Sequence, residues 1–176
     1  MSYGAVRQVA FLCRDIDASM RFYTARFGIG PWFLMDRVTL SDCVYRGAPC
    51  DISLSAALAA WGPVQIELIQ QHDDKPSIYR DWYARDFTHD VQHHVACWPE
   101  DYRPAMARAV ADGFTVEQEG DTPRGGFSYL THPDNPDQIL ELTEWTSPRR
   151  AFDAAIRQAA SGWTGENPRR RFEDAA

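Results

Sequence analysis

Two stretches of this chain are written twice. Gln8-Val9-Ala10-Phe11 returns as His94-Val95-Ala96-Cys97, and Gln65-Ile66-Glu67-Leu68-Ile69 returns as Ile139-Leu140-Glu141-Leu142-Thr143. One pair opens each half of the protein and the other closes it. An internal repeat sets the architecture before any single element does. Here it also groups Gln8, Glu67, His94 and Glu141, one possible ligand from each copy.

The pattern between these marks repeats too. Val6 to Cys13 is a short apolar run that reads as a strand. Asp15 or Asp17 suits a helix cap, and Met20, Tyr23 and Phe27 recur at helical spacing until Gly28 and Gly30-Pro31 stop them. Strands are expected at Trp32 to Leu40, Asp51 to Ala60 and Val64 to Gln70, with a loop at Tyr45 to Cys50. Gln71 to Asp90 is a polar and aromatic connection with room for a short helix from Ser77 to Ala84. The pattern then restarts with a strand at Val91 to Trp98, a helix through Tyr102, Met106 and Val110, and strands at Phe114 to Glu119, Phe127 to Thr131 and Gln138 to Trp145. The expected fold is α+β, two paired βαβββ modules (6–70 and 91–145) forming a cleft within a domain of residues 1–146. Residues 147–176 add a helix from Ser147-Pro148 through Phe152 and Ile156, then a polar tail with Arg169-Arg170-Arg171 that reads as loosely held.

Strand parity brings the four repeated residues together, because alternate residues share a face. Gln8, Ala10 and Leu12 share one; so do Gln65, Glu67 and Ile69, then His94 and Ala96, then Ile139, Glu141 and Thr143. The large apolar residues fall on the opposite face, where helices can cover them. The four candidates then face the concave side, with Ala10 and Ala96 leaving space for a small molecule. Parity sends His93 to the helix side. A Glu set mid-strand between aliphatics is costly to bury unless paired or metal-bound. One imidazole, one amide oxygen and two carboxylates suit a divalent ion: zinc, nickel, cobalt, manganese or iron.

Composition removes other classes. The net charge of −7, from 25 acidic and 18 basic residues, argues against a nucleic-acid partner. No apolar run approaches the roughly 20 residues that span a bilayer. Met1-Ser2-Tyr3-Gly4 does not read as a signal peptide, and Cys13, Cys43, Cys50 and Cys97 lack CxxC spacing, so a cytoplasmic protein with reduced thiols is expected. Gly120 to Gly126 is not a phosphate loop, since no Lys-Ser or Lys-Thr follows.

These segments resemble the vicinal oxygen chelate superfamily, which includes glyoxalase I and methylmalonyl-CoA epimerase. The resemblance covers residues 6 to 146 and rests on Val9 to Asp17, Phe22-Tyr23 with Phe27 to Trp32, Gln65 to Ile69, His93 to Ala96 and Ile139 to Leu142. It implies that Gln8, Glu67, His94 and Glu141 are the metal ligands. Gln at the first position is similar to some glyoxalase I enzymes and unlike the epimerases, which usually have His. It implies an isomerase, epimerase or lyase, in which the metal holds two substrate oxygens and Glu141 or Glu67 is the base that moves a proton next to a carbonyl. The alternatives are a metal-free binding protein of the bleomycin-resistance kind and an iron-dependent dioxygenase. Trp32, Phe33, Tyr79, Trp82, Tyr83 and Tyr129 are candidates to wall the substrate. The expected partner is a small carbonyl compound, the expected assembly a homodimer, with no nucleic acid or membrane.

Overall fold

In a computed structural model, which describes residues 3–40 and 42–175, the alternating segments form strands and the 3.6-residue patterns form helices. Met1, Ser2, Ser41 and Ala176, and with them the start of the N-terminal segment and the last residue of the tail, lie outside the described residues. The first half runs β1 (Val6–Leu12), α1 (Ile16–Phe27), β2 (Trp32–Leu40), β3 (Cys43–Tyr45), β4 (Ala48–Pro49), β5 (Ile52–Trp61) and β6 (Val64–Gln71). A short α2 (Ile78–Tyr83) connects to β7 (Val91–Cys97), α3 (Tyr102–Ala111), β8 (Thr115–Gly120), β9 (Phe127–His132) and β10 (Asn135–Thr143). Then come α4 (Ser147–Ala160), β11 (Arg169–Arg171) and a 3-10 turn at Phe172–Ala175. Asp15 caps α1 by accepting from Ala18 N, and Gly28 ends it in the left-handed region at φ 67°. Among the described residues no helix is long and apolar enough to cross a membrane.

The strands form one mixed sheet in the order β11-β2-β5-β6-β1-β7-β10-β9-β8-β3-β4. β1 and β7 meet antiparallel at its centre, and β6 and β10 flank them in parallel. This puts Gln8, Glu67, His94 and Glu141 on the four central strands. One face is covered by α1, packed on Ile66, Leu68 and Ala57, and by α3, packed on Leu130, Leu140 and Leu142. The other face is concave and carries a core of Ala10, Leu12, Ile69, Tyr79, Tyr129 and Ile139, roofed by α2.

Two segments depart from the sequence reading. The Tyr45 to Cys50 stretch, expected as a loop, belongs to the β3–β4 hairpin, and β3 pairs with β8 of the other half (Cys43↔Gly120, Tyr45↔Gln118). β2 and β3 lie near opposite ends of the strand order yet are separated by residues 41 and 42 only. So short a connection spans roughly 11 Å at most. The sheet must therefore curl until its ends nearly meet, and the curl encloses the concave face.

The tail is docked rather than loose. Trp32 N donates to Pro168 O at 2.8 Å, and β11 continues alongside β2 in parallel (Arg169↔Trp32, Arg171↔Leu34). Trp163 lies against Gly30 so closely that a Cβ there would sit 2.5 Å from its ring. Phe172 packs on Phe152 of α4 with ring centroids 4.5 Å apart. α4 covers one end of the concave face, burying Phe152 and Ile156 against Phe33 and Leu58.

Candidate metal centre and active site

Glu67, His94 and Glu141 converge, each offering a ligand atom within 4.8 Å of the others. His94 Nε2 lies 3.5 Å from Glu67 Oε2 and 2.7 Å from Glu141 Oε2. The imidazole side chain is fully buried, that of Glu141 is 8% exposed, and that of Glu67 is 16% exposed. Despite their closeness, His94 Nε2 and Glu141 Oε2 have no hydrogen-bond partner, so their contact has the distance of a hydrogen bond without its angle. Two buried lone-pair atoms left unsatisfied at one point are what a cation would satisfy. Two donors about 2.1 Å from a tetrahedral ion sit about 3.4 Å apart, close to the His94–Glu67 spacing.

Gln8 lies on the same wall, with its amide nitrogen engaged by a neighbour. Its Nε2 donates to Gln65 Oε1 at 2.8 Å, and Gln65 Nε2 continues to Asp153 Oδ1 of α4 at 3.5 Å. Gln65 is a residue that sequence reasoning placed on this face without giving it a role. Thr143 Oγ1 donates to Glu141 Oε1 at 2.6 Å and fixes that carboxylate.

His93 is not on the helix side. Ala10 pairs with His94 but Phe11 pairs with Gln92, so β7 carries an extra residue at this point. Such a bulge breaks the alternation, and His93 and His94 both turn to the concave face. Their Nδ1 atoms are 2.9 Å apart. For Nε2 of His94 to present a lone pair, its proton must sit on Nδ1 and be donated to Nδ1 of His93. Burial, reinforced by His94, holds the His93 pKa well below its ordinary value, so it stays a neutral acceptor.

Burial pushes the Glu67 carboxyl up to about 7, with His94 opposing the rise and Glu141 adding to it. Burial acts on Glu141 in the same sense, but His94 and the Thr143 hydroxyl outweigh it and hold that pKa below the ordinary value. In the metal-free protein a carboxyl raised to about 7 contributes stability that is complete below its unfolded pKa and is lost as pH rises through about 7. Urea unfolding of the metal-free protein between pH 5 and 8 should show this loss, and Glu67→Gln should flatten it. An unchanged slope in Glu67→Gln would show that Glu67 is not the titrating group.

Glu67 and Glu141, with Gln8, line a cavity of about 340 Å³. Of the aromatics expected to wall it, Tyr79 and Tyr129 do, with hydroxyls 2.9 Å apart. Trp32 is on the α1 face, donating its indole N–H to Thr24. Phe33 is covered by α4. Trp82 packs on His93, and the Tyr83 hydroxyl donates to Cys13 O. The sequence reading missed Phe127, Phe152, Phe172, Arg124 and Arg149, all on the cavity wall. Ser147-Pro148 marks the helix start that aims Arg149, but no local signal marks the docking that brings Phe172 there.

The sequence profile of the Glyoxalase/Bleomycin resistance protein/Dioxygenase superfamily matches residues 7–131. No curated protein matches by sequence. Among solved structures, methylmalonyl-CoA epimerase from Mycobacterium tuberculosis is similar at 16% identity and TM-score 0.58, covering 86% of this chain and 95% of its own. A hypothetical protein from Bacillus halodurans C-125 has 14% identity and TM-score 0.59, covering 81% and 95%. The S115T variant of Streptomyces coelicolor methylmalonyl-CoA epimerase, in complex with 2-nitronate-propionyl-CoA, has 18% identity and TM-score 0.53, covering 83% and 96%. At these identities the structures speak for the fold alone. The profile spans more than half of the sequence, and the chain belongs to the glyoxalase/bleomycin resistance/dioxygenase superfamily.

Proposed function

We propose that this protein is a divalent-metal enzyme that moves a proton next to a carbonyl, as an isomerase, epimerase or lyase. The observation that carries the reading is the convergence of Glu67, His94 and Glu141, with His94 Nε2 and Glu141 Oε2 buried and unpartnered. Zinc, nickel, cobalt, manganese and iron all accept such a nitrogen and oxygen set, with Gln8 Oε1 as a fourth donor, since Gln8 engages Gln65 through Nε2. Bound there, the ion supplies Lewis acidity that polarises a substrate carbonyl and acidifies the neighbouring C–H.

The chain's own residues divide the remaining work. Glu141, fixed by the Thr143 hydroxyl, is the anchored ligand. Glu67 is the more exposed carboxylate, which suits a base that takes and returns a proton. Tyr79 and Tyr129 form a dry wall beside it. A carbonyl substrate deuterated at the acidic carbon should lose label to solvent in the metal-loaded protein, measured by NMR. Glu67→Gln should hold metal but lose exchange by about 10²–10⁴-fold, the usual contribution of a general base. Turnover that consumes oxygen, or that proceeds without any divalent ion, would overturn the reading. A protein that takes up no ion would leave His94 and Glu141 as an internal pair, and the chain as a binding protein.

A further inference from the structure

The cavity has a second charged feature, of opposite sign. Arg149, in the first turn of α4, and Arg124, in the loop between β8 and β9, both line it. Arg149 Nε donates to Glu144 O at 3.0 Å and Nη2 to Gly125 O at 3.2 Å. Arg124 lies over the packed pair of rings, its guanidinium 4.2 Å from the Phe152 centroid and 4.5 Å from that of Phe172. The two are tied together, since Thr146 Oγ1 donates to Arg124 O at 2.6 Å. Among the described residues neither guanidinium makes an ion pair.

Unpaired guanidiniums inside a cavity are expensive. Burial lowers both of their pKa values. The acidic residues on the same wall do not pair with them. Asp153 is held by Arg157 at 2.8 Å, while Asp42 and Asp121 are exposed to solvent. In the metal-free protein Glu141 and Glu67 act on Arg149, and Glu173 acts on Arg124, through space without pairing; a divalent ion between Glu67 and Glu141 would balance both carboxylates and leave Arg149 without that compensation. Leu54, Ala56, Phe127 and Tyr129 give the same cavity an apolar wall.

We propose that the substrate carries a carboxylate on a compact apolar body. The carboxylate seats against Arg149 and Arg124, the body lies along Leu54, Ala56, Phe127 and Tyr129, and the carbonyl end points to Glu67, His94 and Glu141. This assignment deepens the metal-enzyme reading and rests on it for the charge balance at Glu67 and Glu141. The volume of about 340 Å³ lies at the small end of ligand cavities, which run from roughly 300 to 1,000 Å³.

The test is calorimetric titration of the full chain with phenylacetate and with its neutral counterpart phenylacetamide, zinc-loaded and after chelation, with zinc content measured in each sample. The acid should bind at least about tenfold tighter than the amide to the zinc-loaded protein, as a charge-assisted pair implies, and a reduced preference should remain after chelation, when Glu67 and Glu141 compete for Arg149. Arg149→Gln should bring the ratio close to one while zinc content stays unchanged, and Arg149→Lys should restore part of it. Arg124→Gln gives an independent reading should Arg149→Gln fold poorly. Equal affinity for acid and amide, no binding of either, or a preference that survives both Gln variants would overturn the assignment. So would a preference that vanishes on chelation while zinc-loaded Arg149→Gln retains it, since the acid would then be bound through the ion. Failure to take up zinc sinks the metal reading separately, and the chelated samples still judge the anion site.

Discussion

His94→Ala should abolish divalent-metal binding, with activity lost in parallel. This side chain is the one nitrogen donor of the cluster and lies between both carboxylates. Its removal leaves Glu67 and Glu141 facing each other without a cation. His93→Gln separates the ligand from its support. An outer partner that fixes the tautomer of a ligating imidazole is worth about 10–100-fold in metal affinity. His93→Gln should therefore weaken metal binding by about that range, and His94→Ala by more than it. Competition with a calibrated chelator measures both. Equal affinities for His93→Gln and wild type would show that the contact between the two Nδ1 atoms does not orient the ligand. Full metal occupancy in His94→Ala would remove the centre altogether.

Phe152→Ala should be among the most destabilising single changes in the chain. Phe152 is buried among Phe33, Leu58 and Ile156 and also stacks on Phe172 and under Arg124. Truncating a buried Phe costs about 3–5 kcal/mol, through lost burial and the cavity left behind. For a chain of this size that lowers the thermal midpoint by roughly 6–20 °C. Phe152→Leu keeps most of the volume and should cost much less. Calorimetric unfolding of the metal-free proteins checks this. A midpoint for Phe152→Ala within a degree or two of wild type would show that α4 does not hold the body of the protein.

The parts of this structure that follow local rules were legible in the sequence. Alternation put Glu67, Glu141 and His94 on one face, and Asp15 and Gly28 marked the ends of α1. What escaped was nonlocal. A bulge has no side-chain signature, so His93 took the side that parity gave it and the structure puts it on the other. The pairing of β3 with β8 joins residues more than seventy positions apart, and nothing in Cys43-Val44-Tyr45 names its partner. The polar composition of Gly162 to Ala176 hid two anchors, Trp163 and Phe172, each decisive only once the surface it meets exists. Arg149 and Arg124 were invisible for the same reason, since a cationic wall forms only when α4 docks.

The ends of the strand order bear on how this protein meets its own copies. A bare outer strand is a template for another chain, and natural sheets blunt it with charge, proline or brevity. Here β11, three consecutive arginines, lies along β2, and the opposite end is β4, two residues that include Pro49. β11 covers the Trp32 to Leu34 stretch of β2. Charge at one end and proline with brevity at the other discourage strand-by-strand polymerisation. Loss of the last fifteen residues would uncover β2, so a truncated chain should be more prone to aggregate than the whole one even where its catalytic residues are intact.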